Sequence, residues 1–274
     1  MIDVNRRVLP GFGLSLGYAT LYMSLLVLIP LTACFIKAST LGLDEFIAAV
    51  WTERARAAYG LTIGASLAAA LINLPFGVLI AWVLVRYEFP GSRLLDAIID
   101  LPFALPTAVA GLVYSGLYVK NGWLGQYLVP LGIQGAYSRL AIVLVLTFIG
   151  LPFVVRTVQP VLQDLEAEAE EAATCLGATR FQTVVRVIFP TLLPAVITGF
   201  TLAFARGIGE YGSVVFVSGN MPFQTEIAPI LIVARLEEFA YGEATALAVV
   251  LLAVSLSTLV RINWLERWSR RHDA

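Results

Sequence analysis

The sequence predicts an all-α protein that crosses a membrane about six times, and three observations carry that prediction. Of 274 residues, 59% are hydrophobic and only 14% charged, with a mean hydropathy of +0.84, whereas soluble domains carry about 25% charged residues. The apolar residues gather in runs close to the length of about 20 residues that a helix needs to cross about 30 Å of hydrocarbon. Prolines recur inside or at the ends of these runs, at Pro75, Pro102, Pro106, Pro152, Pro160, Pro190 and Pro194. Backbone groups freed by proline are tolerated in a membrane where they face protein or a water-filled path.

The runs can be taken in order. Val8 to Ile36 contains no charged residue and follows Arg6 and Arg7. It is too long for a signal peptide and lacks a small-residue cleavage site, so it is expected to be a retained first span. Ala57 to Val85 is also free of charge and carries Gly60 and Gly64, a GxxxG spacing expected to admit a neighbouring helix at close range. Pro75 is expected to kink this span for packing. Leu101 to Val119 and Leu140 to Val155 are shorter, the latter extended past Arg156. Val187 to Thr225 holds only Arg206 and Glu210 as charges, which predicts one span followed by a re-entrant or irregular segment. Ala244 to Val260 is the sixth run. Beyond it Trp264 and Trp268 stand four residues apart among arginines, as expected of a helix end anchored among headgroups. The chain thus divides into residues 1–56, a first span with an outer loop; 57–263, a core containing a polar loop at 156–190; and 264–274, a tail.

Loop charges orient the spans. With both termini inside, Arg6, Arg7, Arg86, Arg93, Arg156, Arg180, Arg186, Arg261, Arg267, Arg270 and Arg271 lie on the inner side. Lys37, Arg54, Arg56, Lys120, Arg139 and Arg235 lie on the other. The excess inside follows the positive-inside rule and makes the 156–190 loop cytoplasmic. The protein is therefore expected in the cytoplasmic (inner) membrane as a multi-pass chain surrounded by lipid.

Several function classes are excluded. A net charge of −1 with so few charged residues offers nucleic acid no basic surface. Cys34, Cys175 and His272, the only residues of their kinds, cannot build a disulfide framework or a metal cluster. Gly13 to Gly17 reads GLSLG, but a nucleophile elbow needs a strand-to-helix turn and a histidine partner, and here the pattern opens an apolar helix. No GxxxxGK[ST] loop occurs and the only lysines are Lys37 and Lys120, so ATP cannot be hydrolysed by that mechanism. The chain is expected to be no enzyme and to bind no cofactor itself. A gradient-driven transporter would need buried carboxylates and inverted repeats; one intramembrane acid and no clear repeat are present.

The 156–190 loop carries the most specific signal. Leu165, Ala169, Ala172, Ala173 and Leu176 recur at helical spacing, with Asp164, Glu166, Glu168, Glu170 and Glu171 crowded near the start, where the helix dipole favours acids. Gly177 is expected to end this helix in a left-handed conformation. Phe181, Val184, Val185 and Ile188 predict a second short helix, closed by Pro190 as the chain re-enters the membrane. Two short helices at an angle make a knob.

Glu171, Ala172, Ala173, Gly177, Val187, Phe189 and Pro190 stand at the spacing of the EAA signature, and the chain resembles the permeases of binding-protein-dependent ABC importers. That resemblance implies a type I ABC importer permease fold, with the knob as a coupling helix that docks on a cytoplasmic ATPase. Val187 and Phe189 replace the favoured Ile and Leu. Further stretches, RRVLPGFGLSLG, LLDAIIDLPFALPTAVAGL from Leu94, PFVVRTVQPVL from Pro152 and RGIGEYGSVVFVSGN from Arg206, are similar to the T (or U) type subunit of sulfate/thiosulfate permeases. Molybdate permeases share the EAA loop and the GE-aromatic-G element, and are the alternative. The resemblance implies a heterodimer with a W-type permease, two copies of a sulfate transport ATPase that bind ATP and magnesium, and a periplasmic sulfate- or thiosulfate-binding protein.

Arg206 and Glu210 remain. If their span begins near Thr191, Arg206 lies about 22 Å along it, and charges at such depth face a cavity or each other. Their i,i+4 spacing allows a pair if the backbone through Gly207, Gly209 and Gly212 stays helical. Two readings stand open: an ion pair that holds a gate, and attraction of a sulfate dianion by Arg206. Thr107 and Ser213 are secondary pore-lining candidates.

Overall fold

The computed structural model describes residues 11–270, with side chains through residue 261. Val8, Arg6, Arg7 and His272 lie outside the described residues, and Trp264 and Trp268 outside the described side chains. Among the described residues every regular element is a helix, and five helices are long and apolar enough to cross a membrane.

Helix α1 (Phe12–Ser39) is continuous, but a π-turn over Ser24–Leu28 interrupts its α geometry. Pro30 follows that turn. A proline lacks an N–H and its ring clashes with the carbonyl four residues back; the wider π-turn moves the carbonyl of Leu26 aside, and Ile29 N–H donates to Ser24 O. Among the described residues helix α1 packs mainly through its Ile29–Ser39 half, against the last helix.

Helix α2 (Glu53–Arg86) starts at Thr52, whose hydroxyl accepts from Ala55 N–H at 3.1 Å, and passes Pro75 without a break. The expected third span is not one helix. Leu101–Ala104 forms one turn, Leu105 is extended (φ −83°, ψ 136°), and α3 (Thr107–Tyr118) begins after Pro106. The residue before proline is pushed from helical to extended backbone, so Pro106 breaks the run. At 1.5 Å per residue α3 measures about 18 Å, too short to span.

Helix α4 (Arg139–Gln163) is capped by Ser138, whose Oγ accepts from Ala141 N–H at 3.2 Å. After the loop helix α5 (Ala167–Cys175), helix α6 (Arg180–Ile208) runs unbroken into the membrane. Pro190 therefore does not close a second short helix. A π-turn over Val184–Ile188 precedes it, with Phe189 N–H donating to Val184 O, so the device at Pro30 recurs and the helix continues. Beyond α6 lie an irregular segment with one turn of helix at Val214–Val217, then α7 (Ala228–Glu237) and α8 (Tyr241–Arg270).

Helices α2, α4 and α6 each pack on the other two. Val154 on α4 is their meeting point. A Cβ at Gly77 on α2 would sit 2.7 Å from Val154 Cβ, and one at Gly199 on α6 would sit 2.8 Å from Val154 Cα. Around it Val155, Val158, Leu162, Ile188, Leu192 and Phe204 are buried. By contrast, Gly60 and Gly64 have nothing within 4 Å of an added Cβ. The expected close helix approach there is absent among the described residues: the two glycines instead border an open cavity, across which lie Arg139 and Val143 of α4.

Ion pairs fasten the periphery. Arg54 on α2 holds Glu226 with two bonds, of 2.8 and 2.7 Å, and Arg139 donates to Gln224 O at 2.8 Å, so the loop before α7 is gripped from two helices. At the other end Arg156 binds Asp100 through Nε and Nη2 at 2.8 and 2.6 Å, and Asp96 through Nη1 at 2.6 Å. That cluster ties the short helix Ser92–Ile99 to α4.

Candidate functional site

Two places stand out: the knob before α6 and the charged turn after it. In the knob, α5 ends at Gly177 in the left-handed conformation expected (φ +82°). Gly177 N–H donates to Thr174 O at 2.9 Å, and Ala178 N–H to Ala173 O at 3.0 Å, a Schellman motif. Thr179 starts α6 at once: its hydroxyl accepts from Gln182 N–H at 3.3 Å, while its own N–H donates to the Gln182 side chain at 2.8 Å. This reciprocal capping box satisfies two otherwise orphaned donors. The sequence announces it as TRFQ, a signal that hydrophobic periodicity passes over. Only Leu176, Gly177, Ala178 and Thr179 separate the two helices, so their angle is set by caps rather than by a mobile loop.

The knob's surface is unusual. Leu176 is 89% and Phe181 77% exposed, although both are large and apolar. Glu171 and Ala172 are exposed too, and Ala173 is half-buried. Only Glu170 among the nearby acids is tied down, by an ion pair with Arg86 at the end of α2. The structure thus brings Glu171, Ala172, Ala173 and Gly177 together on one projection. Pro190 is not with them; it lies further along α6.

At the far end of α6, Arg206 and Glu210 form an ion pair. The Glu210 side chain is 2% exposed and that of Arg206 34%, so the carboxylate is enclosed while the guanidinium reaches a more open region. The carboxylate also accepts from the N–H and the hydroxyl of Ser213, each at 2.9 Å. Three partners for a buried carboxylate offset its desolvation in the only way that makes such burial tolerable. Ser213 is therefore enclosed, not pore-lining as expected. Gly212 packs on Thr107, whose Oγ1 would overlap an added Cβ. Gly111 on α3 meets the Ser213 carbonyl in the same way. Gly209 ends α6 at ordinary negative φ with open space beside it, so its geometry makes no demand for glycine. The turn is thus a junction between α6 and the broken third segment, anchored by Glu210, Ser213, Gly212 and Gly111. Sequence reasoning missed Gly111, Asp96, Asp100 and Arg156; close approaches and ion pairs between distant segments leave no periodic signal.

Residues 73–271 match the family described as binding-protein-dependent transport system inner membrane component. The chain belongs to that family. Every candidate residue named above from Gly77 onward falls inside the matched region. Within this transport-component family the chain is 48% identical to the sulfate transport system permease protein CysT of Salmonella typhimurium, over 97% of each chain. It is 52% identical to CysT of Synechocystis, over 92% of this chain and 88% of the relative. A probable sulfate transport system permease protein of Nephroselmis olivacea is 51% identical over 97% of this chain and 93% of its own length. Among solved structures, a bacterial ABC transporter involved in import of the acidic polysaccharide alginate superposes with TM-score 0.75 at 18% identity, covering 92% of this chain and 95% of that one. The MetNI methionine ABC transporter superposes with TM-score 0.54 at 18% identity, covering 84% and 99%. The chain therefore has the ABC importer permease fold and is a multi-pass membrane protein.

Proposed function

We propose that the chain is the pore-forming permease subunit of an ATP-driven importer that moves sulfate across the cytoplasmic membrane by alternating access. The observation that carries this is identity near one half, along almost the whole chain, to permeases of sulfate transport systems. It favours sulfate over the molybdate alternative. In this reading a periplasmic sulfate- or thiosulfate-binding protein delivers the anion, a W-type permease completes the pore, and two copies of a partner ATPase bind ATP and magnesium.

The knob is the coupling helix of that reading. Exposed Leu176 and Phe181 suit burial in a groove of the ATPase, where Gly177 fixes the angle and Glu171, Ala172 and Ala173 form the contact. Helix α1, with no residue of its most apolar stretch buried, supplies a free face for the W-type partner. The Arg206–Glu210 turn is the gate: Glu210 is consumed by structural bonds, which leaves the half-open Arg206 as the side nearer an anion path.

The test is reconstitution of both permeases with the ATPase and the binding protein in vesicles. Uptake of labelled sulfate should require ATP and the binding protein and should persist when a protonophore collapses the ion gradient. Uptake that follows the gradient and ignores ATP would overturn the proposal.

A further inference from the structure

We infer that the groove between α2 and α6 binds an anionic glycerophospholipid, with an acyl chain lying along the membrane-depth part and the phosphate at the knob. The groove has two contiguous parts of opposite character. The first is a trough of about 710 Å³ lined by Leu74, Val78, Leu79, Trp82, Val184 and Phe189, all apolar. Trp82 and Val184 also line the second, a pocket of about 390 Å³ that holds Glu170, Thr174, Arg180 and Thr183. An apolar trough that opens end-on into a polar pocket has the shape of an amphiphile.

Charge selects the headgroup. Glu170 is neutralised by Arg86, and the Arg86 guanidinium stands 5.4 Å over the Trp82 ring. Arg180 is exposed and has no carboxylate partner among the described residues. The pocket therefore carries one uncompensated positive charge, at the level where α2 ends and its Trp82 and Arg86 mark the membrane interface. Tryptophan is enriched at that depth and arginine near a helix end reaches it, and basic pockets between helices on the cytoplasmic side suit anionic headgroups. The hydroxyls of Thr174 and Thr183 already donate to Glu170 O and Thr179 O, so donors to a phosphate must come from arginine. Free phosphate would leave the trough empty. A bound lipid would bridge α2 to the first turn of α6 and so steady the knob; only the choice of leaflet rests on the cytoplasmic orientation proposed above.

The test uses the complete transporter, purified and reconstituted in nanodiscs of phosphatidylethanolamine with increasing phosphatidylglycerol. Native mass spectrometry should find phosphatidylglycerol retained over phosphatidylethanolamine by roughly fivefold, the preference expected of one arginine at an anionic surface. Arg180→Gln should abolish the preference and Arg180→Lys should keep it. Val78→Trp should lower retention of both lipids by filling the trough. Equal retention in wild type, Arg180→Gln and Val78→Trp would overturn the inference, as would a photoreactive residue at Leu79 that captures the partner permease instead of lipid. Retention is read separately from sulfate uptake, so loss of transport with lipid binding intact would count against the permease reading alone.

Discussion

Glu210 accepts two hydrogen bonds from Ser213, through its amide and its hydroxyl, each 2.9 Å long. Arg206 supplies the third partner. Glu210→Gln keeps an acceptor for Ser213 but loses the charge, whereas Arg206→Gln leaves a buried carboxylate without its cation. Breaking a fully buried pair costs about 3–5 kcal/mol, and the partial exposure of Arg206 lowers this. Arg206→Gln should reduce complex yield more than Glu210→Gln does. The double variant should recover yield. Sulfate uptake then separates the roles: recovery together with yield marks a structural pair, and persistently low uptake marks an Arg206 that serves the anion.

Gly111 lies against the Ser213 carbonyl and Gly212 against the Thr107 hydroxyl, so Gly111→Ala must move backbone while Gly212→Ala can turn a side chain. Overpacking of this kind costs about 1–3 kcal/mol. Gly111→Ala should lower the thermal midpoint of the purified complex more than Gly212→Ala. A midpoint equal to wild type for Gly111→Ala would contradict the close approach.

Gly177→Val places a β-branched residue at φ +82°, where left-handed backbone costs L residues about 1–2 kcal/mol. Thr179→Ala removes the capping box at about 0.5–2 kcal/mol. Both should insert normally yet weaken stimulation of the ATPase by the binding protein. Glu166→Gln, at an exposed position before α5, should leave stimulation near wild type. Equal stimulation in all three would argue against the knob as a coupling element.

Arg156 spends its donors on Asp96 and Asp100. Lysine cannot reproduce a bidentate fork, so Arg156→Lys should behave like Arg156→Gln and loosen the helix Ser92–Ile99. The carboxylates are nearly half exposed, and the loss should be modest, about 1 kcal/mol. Faster hydrogen exchange over residues 92–104, with the α2, α4 and α6 core unchanged, is the expected signature.

Topology can be read by labelling. Cysteines at Gln163 and Gln126 should react from opposite sides of the membrane, Gln163 from the cytoplasm. Reaction of both from one side would reject the proposed orientation.

The spans were legible because a long apolar run has few other uses, and the knob because Gly177 and the acids of its first turn act locally. Where helix ends and breaks were misread, proline was the reason. Pro106 was hidden inside a run apolar enough for a span, yet it forces Leu105 out of helix. Pro190 looked like a stop, yet the π-turn at Val184–Ile188 lets α6 pass it. Arg156 could be placed at a helix end, but its carboxylates lie in a separate segment, and only the fold brings them into reach.

The π-turn in α6 has a consequence for phase. Such a turn amounts to one extra residue in the helix, and each residue advances the side-chain direction by about 100°. The faces of α6 on the two sides of Val184–Ile188 therefore belong to different helical wheels: Phe181 is offset from the stripe that holds Leu192 and Phe204 in the core. A single-residue deletion within 184–188 would swing the knob about the helix axis and, by removing the turn that lets α6 pass Pro190, kink the helix there. The direction in which Leu176 and Phe181 face the ATPase is thus written in one surplus residue.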